Sequence, residues 1–261
     1  MRFAELRAVT IDAHGRDVLL LGGRSRRPQA AVAARRRRPR AHVNEDRGKL
    51  SAWVAFVAVF AGLNYAARFS SDKPDSDVLY TWSAAILGAV ELAVVLGIVL
   101  LIARDRPRDD YLGLRRPSSW GTALWLGLAV IIGVFVVSGV LSPFLHPGDE
   151  QGLIPKDWEP SRAAAFAANF VVVALIAPVV EELTFRGLGY RLLEPFGRWV
   201  AIVLVGLAFG LAHGLVEALP ILAFFGVGLA YLRSRTGSVY PGLLVHATFN
   251  SLVLIVSVAT G

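Results

Sequence analysis

The chain has 261 residues, of which 55% are hydrophobic and only 18% are charged. Soluble domains are roughly 45–50% apolar and about 25% charged, so this composition excludes an ordinary soluble domain and favours a membrane protein. The lack of cysteine excludes disulfides, thiolate metal sites and a cysteine nucleophile.

The net charge of +7 belongs to the N-terminal region. Residues 1–49 contain 13 Arg and Lys against 5 Asp and Glu, a net charge of +8, whereas the remaining residues contain 14 against 15, a net charge of −1. A basic run at residues 35–40, before an apolar segment, favours anionic lipid over nucleic acid, so no nucleic-acid partner is expected. We predict a basic, disordered tail over residues 1–49.

Seven apolar segments follow the tail, and the first, of about 18 residues, is long enough to cross a bilayer once as a helix. They cover residues 50–67, 78–103, 120–145, 163–185, 199–212, 215–232 and 239–260. Helices are expected because the bilayer offers no water to satisfy exposed backbone groups. The sequence therefore predicts an all-α, polytopic membrane helix bundle with about seven transmembrane helices.

The loops between the segments alternate in charge, which predicts their side of the membrane. Basic residues cluster before the first segment and after the second, fourth and sixth, whereas acidic residues cluster after the first and third. The positive-inside rule then places the N-terminus in the cytoplasm and the C-terminus outside. Arg outnumbers Lys by 24 to 3, which is typical of a GC-rich bacterial gene, so we expect a multi-pass protein of the bacterial cell membrane.

The fourth segment carries two adjacent carboxylates, Glu181 and Glu182, which point about 100° apart on a helix. Glu182 and Arg186 are spaced i,i+4 with the acid first, the favourable order for an ion pair. Glu181 lacks this partner, and a desolvated carboxylate can act as a general base. The alternative is that both carboxylates are solvated at a helix end. If the pair is buried, the helix continues past Arg186 and ends near Pro195.

Two histidines lie in later apolar segments, each with a companion one helical turn away. Phe209 and His213 share one face of the fifth segment, and His246 and Asn250 share one face of the seventh. Polar groups inside membrane helices either mark functional sites or form structural hydrogen bonds between helices. Glu91, near the middle of the second segment, has no assigned role.

The three clusters together resemble the motifs of the CAAX protease and bacteriocin-processing family, also called the Abi or CPBP family. That family includes the type II CAAX prenyl endopeptidases. Its motifs read Glu-Glu-x-x-x-Arg, Phe-x-x-x-His and His-x-x-x-Asn or Asp. They match in order at Glu181, Glu182 and Arg186, at Phe209 and His213, and at His246 and Asn250. Residues 156–261 are accordingly interpreted as a catalytic helix core, and residues 50–155 as three generic transmembrane helices.

The resemblance implies an intramembrane endopeptidase that cleaves a membrane-associated protein or peptide. Glu181 and His213 would activate a water molecule for attack, while His246 and Asn250 would stabilise the oxyanion. The supporting residues would be Glu182, Arg186 and Phe209.

The resemblance leaves metal dependence open, although no cofactor is favoured. Zinc or another divalent metal, if required, would be bound by Glu181, His213 and His246, a ligand set of the His₂Glu type. The chain lacks the His-Glu-x-x-His motif, in which both histidines lie one turn apart on one helix. A metal-free, glutamate-dependent mechanism is therefore preferred.

Two other functions stay open. In a transporter or an ion or proton pathway, Glu91, Glu181 and the two histidines would form the path. No internal repeat supports this reading. The second is a non-catalytic membrane partner that retains the fold.

Overall fold

The computed structural model describes residues 39–70, 77–145, 150 and 157–260. Seven long helices account for the apolar segments. They are α1 (Pro39–Ser70), α2 (Trp82–Ile102), α3 (Trp120–Leu141), α4 (Pro160–Phe196), α5 (Arg198–Ala212), α6 (Leu219–Thr236) and α7 (Tyr240–Thr260). Short helical turns at Val78–Tyr80 and Arg108–Tyr111 lie between them, and these ranges contain no strand.

The all-α membrane bundle predicted from the sequence is confirmed. Among the described residues, five helices (α1, α2, α3, α4 and α7) are long and apolar enough to cross a membrane. Helix α5 is apolar but has only 15 residues, and α6 carries two arginines in its last turn. The cytoplasmic N-terminus stays a prediction from the loop charges.

Several helix ends differ from the hydropathy segments. Helix α1 begins at Pro39, so residues 39–49 of the predicted tail are helical, because its polar Arg, Glu and Lys residues are good helix formers. The rest of the tail lies outside the described residues. Helix α3 ends at Leu141 rather than at residue 145. Helix α6 begins at Leu219 rather than at residue 215: Gly214 (φ 66°) turns the chain after α5, and Pro220 lies in the first turn of α6, where proline is favoured.

Helix α4 runs through the first motif without a break. It widens into π-helical turns at Val171–Ile176 and Glu182–Gly189, and such turns are frequent at functional sites. The prediction that this helix continues past Arg186 is confirmed. The last turn of α4, Glu194–Phe196, contains Pro195, which was expected to end the helix. Gly197, at φ 121°, then leads into α5.

Close helix contacts depend on small residues and on one tryptophan. Helices α5 and α6 cross at Gly206 and Gly226, where a Cβ on Gly226 would lie 2.6 Å from the Gly206 carbonyl oxygen. Helix α1 packs on α4 through Trp53, whose Nε1 donates to the Thr184 carbonyl oxygen at 3.0 Å. Its ring also occupies the space beside Gly189. Such close approaches, which small residues permit, hold the motif-bearing part of α4 against its neighbours.

Candidate active site

Glu182 and Arg186 form a fully buried ion pair in α4, as their spacing predicted. Arg186 Nη1 donates to Glu182 Oε1 at 2.8 Å, and the two side chains are only 1% and 0% exposed. Arg186 Nη2 donates to the carbonyl oxygen of Gly226 in α6 at 3.2 Å. The guanidinium carbon lies 4.3 Å from the ring centre of Phe209. The pairing neutralises both charges, as a low-dielectric interior requires.

His246, in α7, lies between the two adjacent carboxylates of α4. Its Nδ1 is 3.2 Å from Glu182 Oε1, and its Nε2 is 3.6 Å from Glu181 Oε2. A carboxylate only accepts hydrogen bonds, so a hydrogen bond from His246 to the carboxylate of Glu182 requires a hydrogen on Nδ1. With the hydrogen on Nδ1, a neutral ring has a lone pair at Nε2, which repels an ionised Glu181. The two groups attract each other only if Nε2 or the Glu181 carboxyl group carries a further proton. A chain of polar contacts therefore runs from Arg186 to Glu181.

His213 directly follows α5, and the main chain sets the orientation of its ring. Its Nδ1 lies 2.7 Å from the carbonyl oxygen of Phe209. Because a carbonyl only accepts, Nδ1 is the donor, and Nε2 of the neutral ring keeps its lone pair. The Phe209 ring contacts both imidazoles, with centroid distances of 4.7 Å to His213 and 5.6 Å to His246.

One cavity of about 400 Å³ joins residues from all three motifs. Glu181, His213, His246, Asn250 and Phe209 line it. Apolar side chains of α2, α4, α6 and α7 complete its wall. The structure thus brings the carboxylate of α4, both imidazoles and the amide to one space, while the catalytic roles of these groups stay predictions.

Asn250 and Glu91 occupy places that their sequence spacing left undetermined. Asn250 Nδ2 donates to the Val173 carbonyl oxygen at 3.0 Å, in a widened turn of α4. An amide has two N–H groups, so one is left for a ligand in the cavity that Asn250 also lines.

Glu91 lines that cavity and a second cavity of about 240 Å³, and Glu181 lines both as well. A carboxylate in the middle of a membrane helix is expected to face such a space.

The predicted metal ligands Glu181, His213 and His246 line one cavity, and their binding of a metal stays a prediction. Zinc needs its ligands about 2.0–2.2 Å from one centre. Within the described ranges, no group of three or more His, Asp or Glu side chains is placed to hold a metal ion. His246 instead directs its two ring nitrogens at different carboxylates.

Three residues outside the motifs support the site: Asn64 and Glu150 are distant from the motifs in sequence, whereas Gly242 lies next to the third motif. Asn64 of α1 donates to the Ala212 carbonyl oxygen, next to His213, at 2.7 Å. Glu150 accepts hydrogen bonds from three backbone N–H groups just beyond His213. Gly242, in contact with Glu182 Oε2, lies one helical turn before His246, so a small residue on the motif's face was visible in the sequence.

These features define a polytopic membrane protein whose helix bundle contains a largely apolar cavity with a few polar side chains of the motifs. Residues 163–252, which contain all three motifs, match the family model described as "Type II CAAX prenyl endopeptidase Rce1-like". A protein of Bacillus subtilis (strain 168) named "Putative membrane peptidase YdiL" is 22% identical over 215 residues, which cover 79% of this chain and 83% of that protein. No solved structure matches.

Residues 163–252 therefore match a CAAX protease family model, as the three motifs predicted, and both comparisons support a membrane protease. Its long apolar helices make it an integral membrane protein, and the Bacillus relative agrees with a bacterial origin.

Proposed function

We propose that the protein is an intramembrane endopeptidase that hydrolyses a peptide bond in a membrane-associated protein or peptide. The observation that carries the proposal is the shared cavity. Glu181, His213 and His246 line one space of about 400 Å³ between helices α2, α4, α5, α6 and α7. Glu181 Oε2 is buried and accepts no hydrogen bond from the described residues, so a donor in the cavity, such as water, would satisfy it.

The charge of the polar chain indicates which residue holds the proton. With an imidazolium at His246, the side chains of Arg186, Glu182, His246 and Glu181 carry two positive and two negative charges. With a neutral imidazole and an ionised Glu181 they carry one negative charge in excess, which is costly inside a membrane. We therefore assign the proton to His246 and the role of base to the Glu181 carboxylate.

The reaction then needs only groups of this chain and water. Glu181 accepts a proton from water, whose second hydrogen bond goes to His213 Nε2, and the water oxygen attacks the substrate carbonyl carbon. His246 Nε2–H and the second N–H of Asn250 donate to the resulting oxyanion. The carbon–nitrogen bond then breaks, and the leaving amine takes the proton from Glu181. A positioned base contributes about 10²–10⁴-fold and one oxyanion donor about 10²–10³-fold in rate.

The test compares the intact chain with Glu181→Gln on a library of membrane-anchored peptides in proteoliposomes. We expect Glu181→Gln to reduce cleavage by at least about 10²-fold, because the amide cannot accept the proton. The matched control is Glu194→Gln, at an exposed position of the same helix, which should keep parental activity. Cleavage that survives Glu181→Gln contradicts the assigned base, and ion flux without cleavage supports a transport function instead.

A second arm of the same assay tests metal dependence. We propose that catalysis needs no metal, because a carboxylate base and a cationic donor supply the chemistry that a metal would otherwise provide. Activity should then survive a strong chelator. Activity that is lost on chelation and restored by zinc would contradict this part of the proposal.

A further inference from the structure

The chain on both sides of His213 is held by α1. Asn64 Nδ2 donates to the carbonyl oxygen of Ala212 at 2.7 Å, and the next residue, Tyr65, donates through its hydroxyl to the carbonyl oxygen of Leu215 at 3.2 Å. Ala212 is the last residue of α5, so its carbonyl has no partner within that helix. Two adjacent residues of one helix thus bind the main chain directly before and shortly after the imidazole.

Gly214 allows this close contact. Its φ of 66° lies in the left-handed region, and a Cβ at this position would lie 2.6 Å from the Asn64 Cβ. The turn after His213 is therefore pressed directly against α1. The backbone that carries the imidazole therefore depends on the α1 surface at Asn64 for its position.

Glu150 holds the far side of the same turn. Its carboxylate accepts from the N–H groups of Val216, Glu217 and Ala218 at 2.7, 2.8 and 3.1 Å. The side chain is only 4% exposed, and Arg68 Nε, one turn beyond Asn64 on α1, lies 3.5 Å from it. The segment from Ala212 to Ala218 is thus bound at both ends.

We propose that Asn64, supported by Tyr65 and Glu150, is a positioning residue for His213. The inference rests on the proposed function, in which His213 Nε2 orients the attacking water. With Nδ1 bound to the Phe209 carbonyl, the direction of Nε2 depends on the backbone between Phe209 and Gly214. The three positioning residues lie outside the family-matched segment 163–252, so helices that looked generic in sequence take part in the site.

The activity test is Asn64→Leu, which removes the donor while keeping a similar volume. We expect kcat to fall about 10–100-fold, the usual loss for a removed outer-shell partner, with KM unchanged within about twofold. Ser51→Leu, at an exposed position of the same helix, should keep both parameters. Tyr65→Phe removes one hydroxyl with little risk to folding and should give a smaller loss, again in kcat.

A second measurement does not depend on cleavage. Because the chain has no cysteine, Val216→Cys creates a unique site for a spin label on the held segment, at a side chain that is 53% exposed. We expect the label to become more mobile when Asn64→Leu or Glu150→Gln is added. Unchanged mobility together with unchanged kcat would overturn the proposal. Increased mobility in a chain that never cleaves peptide would support the positioning contact and contradict the proposed function.

Discussion

Glu182 is the most constrained side chain of the candidate site. One of its oxygens, Oε1, faces both Arg186 and His246, while the other, Oε2, is buried without a hydrogen bond from the described residues. Oε2 lies against the Cα of Gly242 in α7, where a Cβ would come within 2.5 Å of it. If the Glu182 carboxylate moved away from Gly242, its contacts with Arg186 and His246 would lengthen.

Gly242→Ala should therefore disturb the site more than its size suggests. We expect a destabilisation of about 1–3 kcal/mol, typical of overpacking, because the added methyl group displaces the carboxylate from Arg186 and His246. Cleavage should fall along with it. The measurement is thermal unfolding in detergent, with cleavage assayed on the same preparation.

Gly97→Ala in α2 is the matched control, since a Cβ there meets nothing within 4 Å. It makes the same chemical change in a membrane helix and should leave stability and cleavage near the parental values. If both glycine variants behave alike, the contact between Gly242 and Glu182 does not constrain the site.

The pairing of Glu182 with Arg186 was predictable because i,i+4 spacing on a helix brings side chains together. The contact of His246 with both carboxylates was not predictable, because the sequence does not determine the rotation of α7 about its axis. Asn250 shows the same limit. Its spacing from His246 predicted a shared face, but not that one N–H would bind a carbonyl of α4.

At the scale of helices, α1 and Glu150 were assigned to a generic part of the bundle, yet both contact the chain around His213. Hydropathy identified α1 as a membrane helix because its apolar residues dominate. Hydropathy did not predict which group Asn64 would bind, since a single polar residue in an apolar segment has many possible partners. Glu150 lies in a connection, where sequence patterns say least about tertiary contacts.

Glu150 predicts a specific pH dependence of stability. Burial alone would raise its pKa, but three backbone N–H groups and Arg68 outweigh burial, so the pKa of Glu150 is lowered below its ordinary value. The folded protein therefore binds this proton less readily than the unfolded chain. The stabilisation is present above the ordinary pKa of glutamate and is lost as the pH falls through the lower pKa of the folded state.

Glu150→Gln should reduce stability at neutral pH and flatten the decline of stability in acid, because the amide does not titrate. A change of 1 kcal/mol corresponds to about 2–4 °C in Tm for chains of roughly this size. Tm measured from pH 7 to pH 3 for the parent, Glu150→Gln and Glu194→Gln tests this. Parallel parental and Glu150→Gln curves would show that the charge of Glu150 does not stabilise the fold.

At the scale of the whole molecule, composition and hydropathy predicted the all-α membrane bundle because each segment must satisfy its own backbone. Hydropathy identifies only apolar residues. The predicted first segment therefore left out the polar start of α1, and the predicted sixth segment included the turn that precedes α6. The three motifs predicted the family resemblance, whereas the cavity emerges only from the packing of α2, α4, α5, α6 and α7. The orientation in the membrane stays a prediction from loop charge.

The central claim is that three separate helical segments bring Glu181, His213 and His246 to one reaction. A double-mutant cycle with Glu181→Gln and His213→Gln tests it most directly, with kcat measured on one cleavable peptide. Residues that act on the same water are strongly non-additive, so the double variant should be no slower than the slower single variant, within about threefold. A double variant whose loss equals the product of the two single losses would contradict the account.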